Sequence, residues 1–267
     1  MKGRIGRMEA QFLAYAQMRK LRTVRLGDLP RTMLCLTADQ ERKLLSRLSR
    51  KRMIARVRRG LYLIPPRLPL SGAWTPDEIL AINTLIEDRD GRYQICGPNA
   101  FNRYGYDEQV PNRIYAYNNR ISGDRIIGSV TLTLIKVADE SLGETEEQKT
   151  VDGEKAVYSS RARTLLDAVY DWSRFGSLPR AYGWICADLR AGRVRPVELV
   201  RVTLRYGDVG AIRRIGALLE REGVNNRQLR RLARDLHRPK NPIPWIPGRA
   251  RRGAVDQRWG VVWNDRA

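Results

Sequence analysis

The sequence of 267 residues contains a single histidine, His237, and this scarcity excludes most histidine-based chemistry. Zinc sites built from several histidines are excluded, and only His237 could supply the imidazole of a Ser or Cys triad. It follows a predicted helix, at a place where an exposed histidine without a catalytic role is common. We therefore expect a binding protein and not an enzyme, with no cofactor and no metal.

Cysteines and long apolar runs are also scarce. Cys35, Cys96 and Cys186 lie far apart and are odd in number, which fits no metal-ligand spacing and favours a reducing compartment. No stretch approaches the ~20 apolar residues of a membrane helix, and the first residues lack the apolar core of a signal peptide. We expect a cytoplasmic protein with no membrane partner.

Positive charge is abundant and unevenly distributed. The chain has 50 Lys and Arg against 29 Asp and Glu, a net charge of +21. Residues 1–70 carry +14, residues 71–200 carry −3 and residues 201–267 carry +10. Such fields attract polyanions, above all nucleic acid. If the charges served solvation alone, we would expect the middle of the chain to be basic as well.

The sequence from Met1 to Pro66 predicts a winged helix-turn-helix domain. Residues 9–20 have helical periodicity, a short helix is predicted near residues 26–31, and Thr37 with Gln40 forms a capping box that opens a third helix. Residues 53–64 then predict a hairpin that turns at Gly60. The third helix would enter the major groove, and the hairpin would contact the backbone or the minor groove. A winged helix that docks on protein is the alternative.

Nine side chains of this domain are predicted to contact DNA, because they lie opposite the leucines of the third helix or in the hairpin. They are Arg42, Lys43, Ser46, Arg47, Arg50, Lys51, Arg56, Arg58 and Arg59.

A proline-rich linker over residues 67–74 separates this domain from residues 75–267. Thr75 is predicted to cap a helix that has Pro76 at its first position. Strands are predicted over 113–118, 124–128 and 130–137, and helices from Ser159 onward. The sequence thus predicts an α+β fold, a winged helix-turn-helix domain joined to a larger mixed α+β domain.

The basic tail predicts a second charged surface. Asp208 is expected to start one helix and Asn225 to cap the next, which has leucines on one side and arginines on the other. The residues predicted on this surface are Arg213, Arg214, Arg227, Arg230, Arg231 and Arg234. RNA, DNA, an acidic protein and a merely solvated face all stay open here. Residues 255–263 predict a final strand whose tryptophans anchor the core.

Four segments carry a family resemblance. They are Gly60-Leu61-Tyr62-Leu63-Ile64-Pro65 at the end of the hairpin, residues 96–111 with Gln109-Val110-Pro111, residues 159–167 from Ser159 to Asp167, and Arg213-Arg214-Ile215-Gly216. In this order they resemble the AbiEi-type antitoxins of bacterial type IV toxin–antitoxin and abortive-infection systems.

The resemblance implies two activities. The winged helix would bind inverted repeats upstream of its own operon as operator DNA and repress transcription. The C-terminal domain would counteract a nucleotidyltransferase-like toxin, with or without stable contact.

Two other functions are weighed against this one. A one-component repressor would sense a small molecule through its middle domain. A metal-dependent nuclease would use Glu147 and Lys149, which lie in a polar run that is typical of a loop.

Overall fold

The computed structural model describes residues 5–29, 36–67, 73–234, 236 and 241–265. The described helices are α1 (Arg7–Met18), α2 (Ala38–Arg50), α3 (Glu78–Glu87), α4 (Gly97–Arg103), α5 (Arg161–Tyr170), α6 (Trp172–Phe175), α7 (Arg180–Arg190), α8 (Pro196–Tyr206), α9 (Val209–Arg221) and α10 (Asn226–Ala233). The described strands are β1 (Thr23–Arg25), β2 (Ala55–Arg58), β3 (Leu61–Leu63), β4 (Tyr93–Ile95), β5 (Ile114–Asn118), β6 (Gly123–Ile127), β7 (Val130–Lys136), β8 (Thr145–Lys149), β9 (Lys155–Ser159), β10 (Ile243–Pro244), β11 (Val255–Asp256) and β12 (Val261–Val262). The predicted α+β class is confirmed.

The chain forms two compact units. Unit 1 comprises Met1–Tyr93, Asn112–Val137 and Lys149–Ala156, and unit 2 comprises Gln94–Pro111, Ala138–Gln148 and Val157–Ala267. Several predictions fall outside the described residues. They are the structure around Cys35 and His237 and most of the linker expected at 67–74. The short helix expected near residues 26–31 was wrong over its described part, because residues 26–29 form a turn and a bend directly after β1.

The N-terminal part of unit 1 packs two helices on a small sheet. Thr37 Oγ1 accepts a hydrogen bond from the Gln40 amide at 3.3 Å, and Gln40 Oε1 accepts one from the Thr37 amide at 2.9 Å. The predicted capping box is therefore formed. Helices α1 and α2 contact each other, and the antiparallel strands have the order β1-β3-β2. The core takes one apolar stripe from each helix and includes Phe12, Leu13, Leu44, Leu45, Leu48, Met53 and Ile54.

The remainder of unit 1 includes three adjacent strands in the order β6-β7-β5, accompanied by α3. Strand β5 pairs with β7 in parallel, with Ile114 opposite Leu132, and β6 pairs with β7 as an antiparallel hairpin. The predicted cap of α3 was wrong. Asp77, not Thr75, caps this helix, and its carboxylate accepts hydrogen bonds from the Ile79 and Leu80 amides at 2.9 Å. Aspartate is among the strongest capping residues, so it displaces the earlier candidate.

In unit 2, helix α5 lies at the centre of a helical cluster and contacts α4, α7, α8 and α9. Residues 162–169 are all buried, so the polar members of α5 need internal partners. Asp167 accepts hydrogen bonds from Arg163 Nε at 2.7 Å and from Ser159 Oγ at 3.2 Å. Burial raises the pKa of Asp167, and these two donors oppose that effect. Strands β4, β9 and β8 are adjacent in that order.

The C-terminal segment forms a small sheet with the order β10-β12-β11. The single strand predicted over 255–263 was wrong, because the chain turns between β11 and β12 and these two strands pair with each other. Trp259 in that turn is fully buried, and its ring lies on Gly216 of α9. A Cβ atom at Gly216 would come within 2.2 Å of the ring, so only glycine allows this approach.

Two further findings concern the sequence expectations. Residues 145–149, expected in a loop, form the fully exposed strand β8. None of the helices in the described ranges is long and apolar enough to span a membrane.

Candidate nucleic-acid interface

Helix α2 divides into an apolar and a basic face. Leu44, Leu45 and Leu48 are buried, whereas the opposite side is exposed to solvent. The predicted residues that lie on this open side are Arg42, Lys43, Ser46, Arg47 and Arg50. Arg42 forms an exposed ion pair with Asp39 at 2.7 Å, and pairs of this kind are weak. Within the described ranges, Lys43, Arg47 and Arg50 form no ion pair, so their charges are available to an anion.

The hairpin of β2 and β3 carries three further arginines. Arg56 is exposed on β2, and Arg59 is exposed at the turn. Arg58 differs from this expectation, because its guanidinium makes two hydrogen bonds to the carboxylate of Asp88, at 2.5 and 2.8 Å. Arg58 holds the pKa of Asp88 below its usual range, with a contribution from Arg25 at 3.1 Å. Arg58 therefore anchors the hairpin and offers less charge to a ligand than predicted.

Lys51 is also engaged inside unit 1. Its Nζ lies 2.7 Å from Glu9 Oε2, and the Glu9 side chain is almost completely buried. A buried carboxylate without its cation costs free energy, so Lys51 stabilises the packing of α1 against the end of α2. The prediction that Lys51 contacts DNA does not fit this geometry.

The arginines of the tail divide into two groups. On α10, Leu229 and Leu232 are buried and the opposite face is exposed. The exposed predicted residues on and just after this helix are Arg227, Arg230, Arg231 and Arg234. The described residues offer no ion-pair partner to Arg230 or Arg231. This face therefore has the charge that the sequence predicted.

Arg213 and Arg214 were predicted on the surface, and this was wrong. Each is only 7% exposed. Arg213 donates to the carbonyl of Trp259 at 2.6 Å, to that of Asn241 at 3.1 Å and also to that of Gly260. Desolvation lowers the pKa of both guanidinium groups. Arg213 binds the C-terminal segment to α9, since its charged donors reach the buried carbonyls of Trp259 and Gly260.

Two cavities formed by the described residues of unit 1 share Trp74 and Thr75 on their walls. The acidic cleft, which we define by Asp77, Asp152 and Glu154, has a volume of about 540 Å³. The arginine cavity, which we define by Arg50, Arg52, Arg56, Thr75 and Ser129, has a volume of about 450 Å³. The first is lined by these carboxylates together with Lys20 and Arg22, and the second has guanidinium groups and hydroxyls on its walls.

The fold is similar to a known structure. No protein-family model and no curated protein sequence matches the chain. A solved structure, the RV2827C protein from Mycobacterium tuberculosis, matches with a TM-score of 0.62 and 15% sequence identity, covering 97% of this chain and 92% of that one. At this identity the likeness concerns the fold alone.

Sequence reasoning missed Arg52, Thr75 and Ser129 as candidate binding residues. Arg52 directly follows the predicted helix, and the other two belong to segments that are distant in sequence, so no local pattern joined them. It also missed that Arg161 of unit 2 lies over the ring of Tyr104 at 4.6 Å and pairs with the buried Asp188 at 3.3 Å. Burial raises the pKa of Tyr104 to about 12.

The two residues weighed as a nuclease site lie on an exposed strand. Glu147 and Lys149 both belong to β8, where every residue is exposed. Within the described ranges, no group of three or more His, Cys, Asp or Glu is placed to hold a metal ion.

Proposed function

We propose that the protein is a DNA-binding antitoxin of a type IV toxin–antitoxin system. Its N-terminal region would act as a winged helix that binds operator DNA and represses its own operon. Its C-terminal region would counteract a nucleotidyltransferase-like toxin. The observation that carries the DNA-binding half is the exposed basic face of α2, where Lys43, Arg47 and Arg50 have no ion-pair partner in the described ranges.

The arrangement of the N-terminal elements supports this proposal. The capping box orients α2, and three leucines fix which of its faces points away from the core. The hairpin follows directly, with Arg56 and Arg59 exposed. A helix that presents long donors beside a basic hairpin suits a major groove and its flanking phosphates.

The antitoxin half rests on the family resemblance. Two segments that carry the resemblance, residues 96–111 and 159–167, pack together in unit 2, where Tyr104 Oη donates to the Ser159 carbonyl at 2.9 Å. The partner surface we propose is the exposed arginine face of α10, with an acidic protein or RNA as its ligand.

The first experiment measures binding of the purified protein to its own upstream DNA and to scrambled DNA at two salt concentrations. We expect a sequence preference that persists at the higher salt. Lys43→Ala, Arg47→Ala and Arg59→Ala should each weaken binding, and Arg59→Ala should do so most uniformly across sequences. Arg195→Gln, an exposed change in unit 2, is the control. Binding that is lost equally for both DNAs at higher salt would refute the repressor half.

The toxin half is tested by co-expression. The gene adjacent to this one is induced in cells with and without the antitoxin, and growth is recorded. A nucleotidyltransferase-like neighbour whose growth inhibition is relieved supports the proposal. An enzyme or transporter without growth inhibition contradicts it.

The acidic cleft favours a second candidate, a repressor that senses a small molecule. Its volume of about 540 Å³ is in the range of ligand sites, and Trp74 supplies an aromatic wall. Glu154 is buried there and lies in ion-pair contact with Arg22. A metabolite that raises the melting temperature and weakens operator binding would favour this function over the antitoxin.

A further inference from the structure

The arginine cavity is built by three separate parts of unit 1. Arg50 is the last residue of α2, Arg52 follows it, and Arg56 lies on β2. Thr75 precedes α3, and Ser129 lies in the turn between β6 and β7. The cavity therefore joins the basic helix and the hairpin to the sheet of the same unit.

The charge of this cavity is uncompensated. Its described lining residues include three arginines and no carboxylate. None of the three forms an ion pair within the described ranges, whereas Arg58 on the same hairpin is paired with Asp88. Three guanidinium groups around one space repel one another, and an anion between them removes this cost. Arginine also suits phosphate, since its planar donors bind two oxygens at once.

Two hydroxyl side chains, those of Thr75 and Ser129, line the arginine cavity beside these arginines. Ser129 Oγ donates to Thr75 Oγ1 at 3.1 Å, so the hydroxyl hydrogen of Thr75 is left to donate elsewhere. The turn reaches this position because Gly128 has no side chain, since a Cβ atom there would lie 2.9 Å from Pro76. Hydroxyl donors beside arginines are the usual partners of a DNA phosphate.

We propose that the arginine cavity binds a phosphate of the DNA backbone, next to the segment read by α2. This inference rests on the proposed function, because Arg50 and Arg56 belong to the predicted DNA-binding face. It extends the interface onto the β6–β7 turn, which lies beyond the segment predicted as the winged helix. Arg52, Thr75 and Ser129 thereby become phosphate-binding residues, and Trp74 lines the same cavity.

The test compares variants in DNA binding across a salt series. Ser129→Asp places a carboxylate in the cavity, and Ser122→Asp makes the same change at the other end of β6, where Ser122 is exposed. Arg52→Gln removes one cation, Arg52→Lys retains it, and Arg195→Gln is the control for net charge. Thermal melting establishes that each variant is folded.

We expect Arg52→Gln to make the negative slope of log affinity against log salt shallower by about 0.9. This is equivalent to about a 3.5-fold smaller loss of affinity between about 50 and about 200 mM salt. Ser129→Asp should weaken binding about tenfold or more at the lower salt, and Arg52→Lys should keep most of the wild-type slope. Ser122→Asp and Arg195→Gln should leave the slope unchanged. Equal effects of Ser129→Asp and Ser122→Asp would overturn the proposal.

Two outcomes separate this inference from the proposed function. If the wild type binds its upstream DNA and scrambled DNA equally, the repressor fails, but the slope changes above still support a phosphate site. If the wild type prefers its operator and Arg52→Gln leaves the salt slope unchanged, the proposed phosphate site is refuted and the proposed repressor function is retained. Adenosine monophosphate is titrated as a small phosphate ligand that is not part of a DNA duplex. Nucleotide binding that Ser129→Asp abolishes, together with unaltered duplex binding, overturns the assignment to DNA.

Discussion

The contact between Gly216 and Trp259 gives the sharpest test of how unit 2 is held together. In Gly216→Ala the new methyl group would lie 2.2, 2.3 and 2.5 Å from Cζ3, Cε3 and Cη2 of the indole ring, where ordinary contact begins at 3.4 Å. The ring must therefore move away from α9 before the methyl group can fit. The indole Nε1 of Trp259 donates to Glu220 at 2.5 Å, and the backbone carbonyl of Trp259 accepts from Arg213 at 2.6 Å, so movement of this residue strains both hydrogen bonds.

The magnitude follows from two opposing effects. Alanine is favoured over glycine inside a helix by about 1 kcal/mol, and overpacking a core costs about 1–3 kcal/mol or more. With three ring atoms in collision we take the upper end, which gives a net destabilisation of about 2 kcal/mol. For a unit of this size, that lowers the melting temperature by about 4–8 °C.

The assay is thermal unfolding followed by circular dichroism, with tryptophan fluorescence as a second signal. Gly183→Ala on α7 is the matched control, because no atom lies within 4 Å of its Cβ position, and the same substitution should be neutral or stabilising there. Trp259→Leu combined with Gly216→Ala should cost less than the sum of the two single changes. A Gly216→Ala protein as stable as the wild type would refute the reasoning.

Three further predictions concern charged side chains. Arg213→Met should destabilise the protein by about 2–3 kcal/mol in urea unfolding, because the buried carbonyls of Trp259 and Gly260 lose a charged donor, and an unchanged midpoint would contradict this. Arg58 lowers the pKa of Asp88 in the folded protein. The contribution of this ion pair to folding stability is therefore complete above the pKa of Asp88 in the unfolded chain, about 4, and is lost as the pH falls through its pKa in the folded protein. Asp88→Asn should therefore flatten the acid limb of stability against pH, and a limb as steep as that of the wild type would count against the pairing. Arg230→Glu with Arg231→Glu should impair toxin neutralisation or nucleic-acid affinity without changing the melting temperature. If both activities survive, the face of α10 serves solvation alone.

Local features of the fold could be predicted from the sequence. The capping box of Thr37 and Gln40 lies within four consecutive residues, so the local sequence contains both partners of each hydrogen bond. The alternation of β7 was equally clear, because buried and half-buried residues alternate over Val130–Leu134. The one wet face expected for β5 was wrong, because Ala116, Tyr117 and Asn118 are buried in succession. Strand β8 was missed because all its residues are exposed, and an exposed edge strand leaves no alternation to detect.

Long-range contacts explain most errors at the candidate site. Arg213 and Arg214 flank the apolar stripe of α9, and their partners come from the C-terminal segment between Asn241 and Gly260. Arg58 is paired with Asp88, the residue that caps the C-terminal end of α3, which no hairpin pattern contains. The face of α2 was predicted well, since its leucines alone determine which side is exposed.

The division of the chain into two units has a consequence for synthesis on the ribosome. Unit 1 needs segments from residues 1–93, 112–137 and 149–156, so the chain passes between units five times. The nascent protein therefore cannot complete its first unit until residue 156 has left the exit tunnel. Helix α2 and the hairpin have their core between Phe12 and Ile64 and can form early. The walls of the arginine cavity at Thr75 and Ser129 are completed later, and a fragment that ends at Pro66 would lack them.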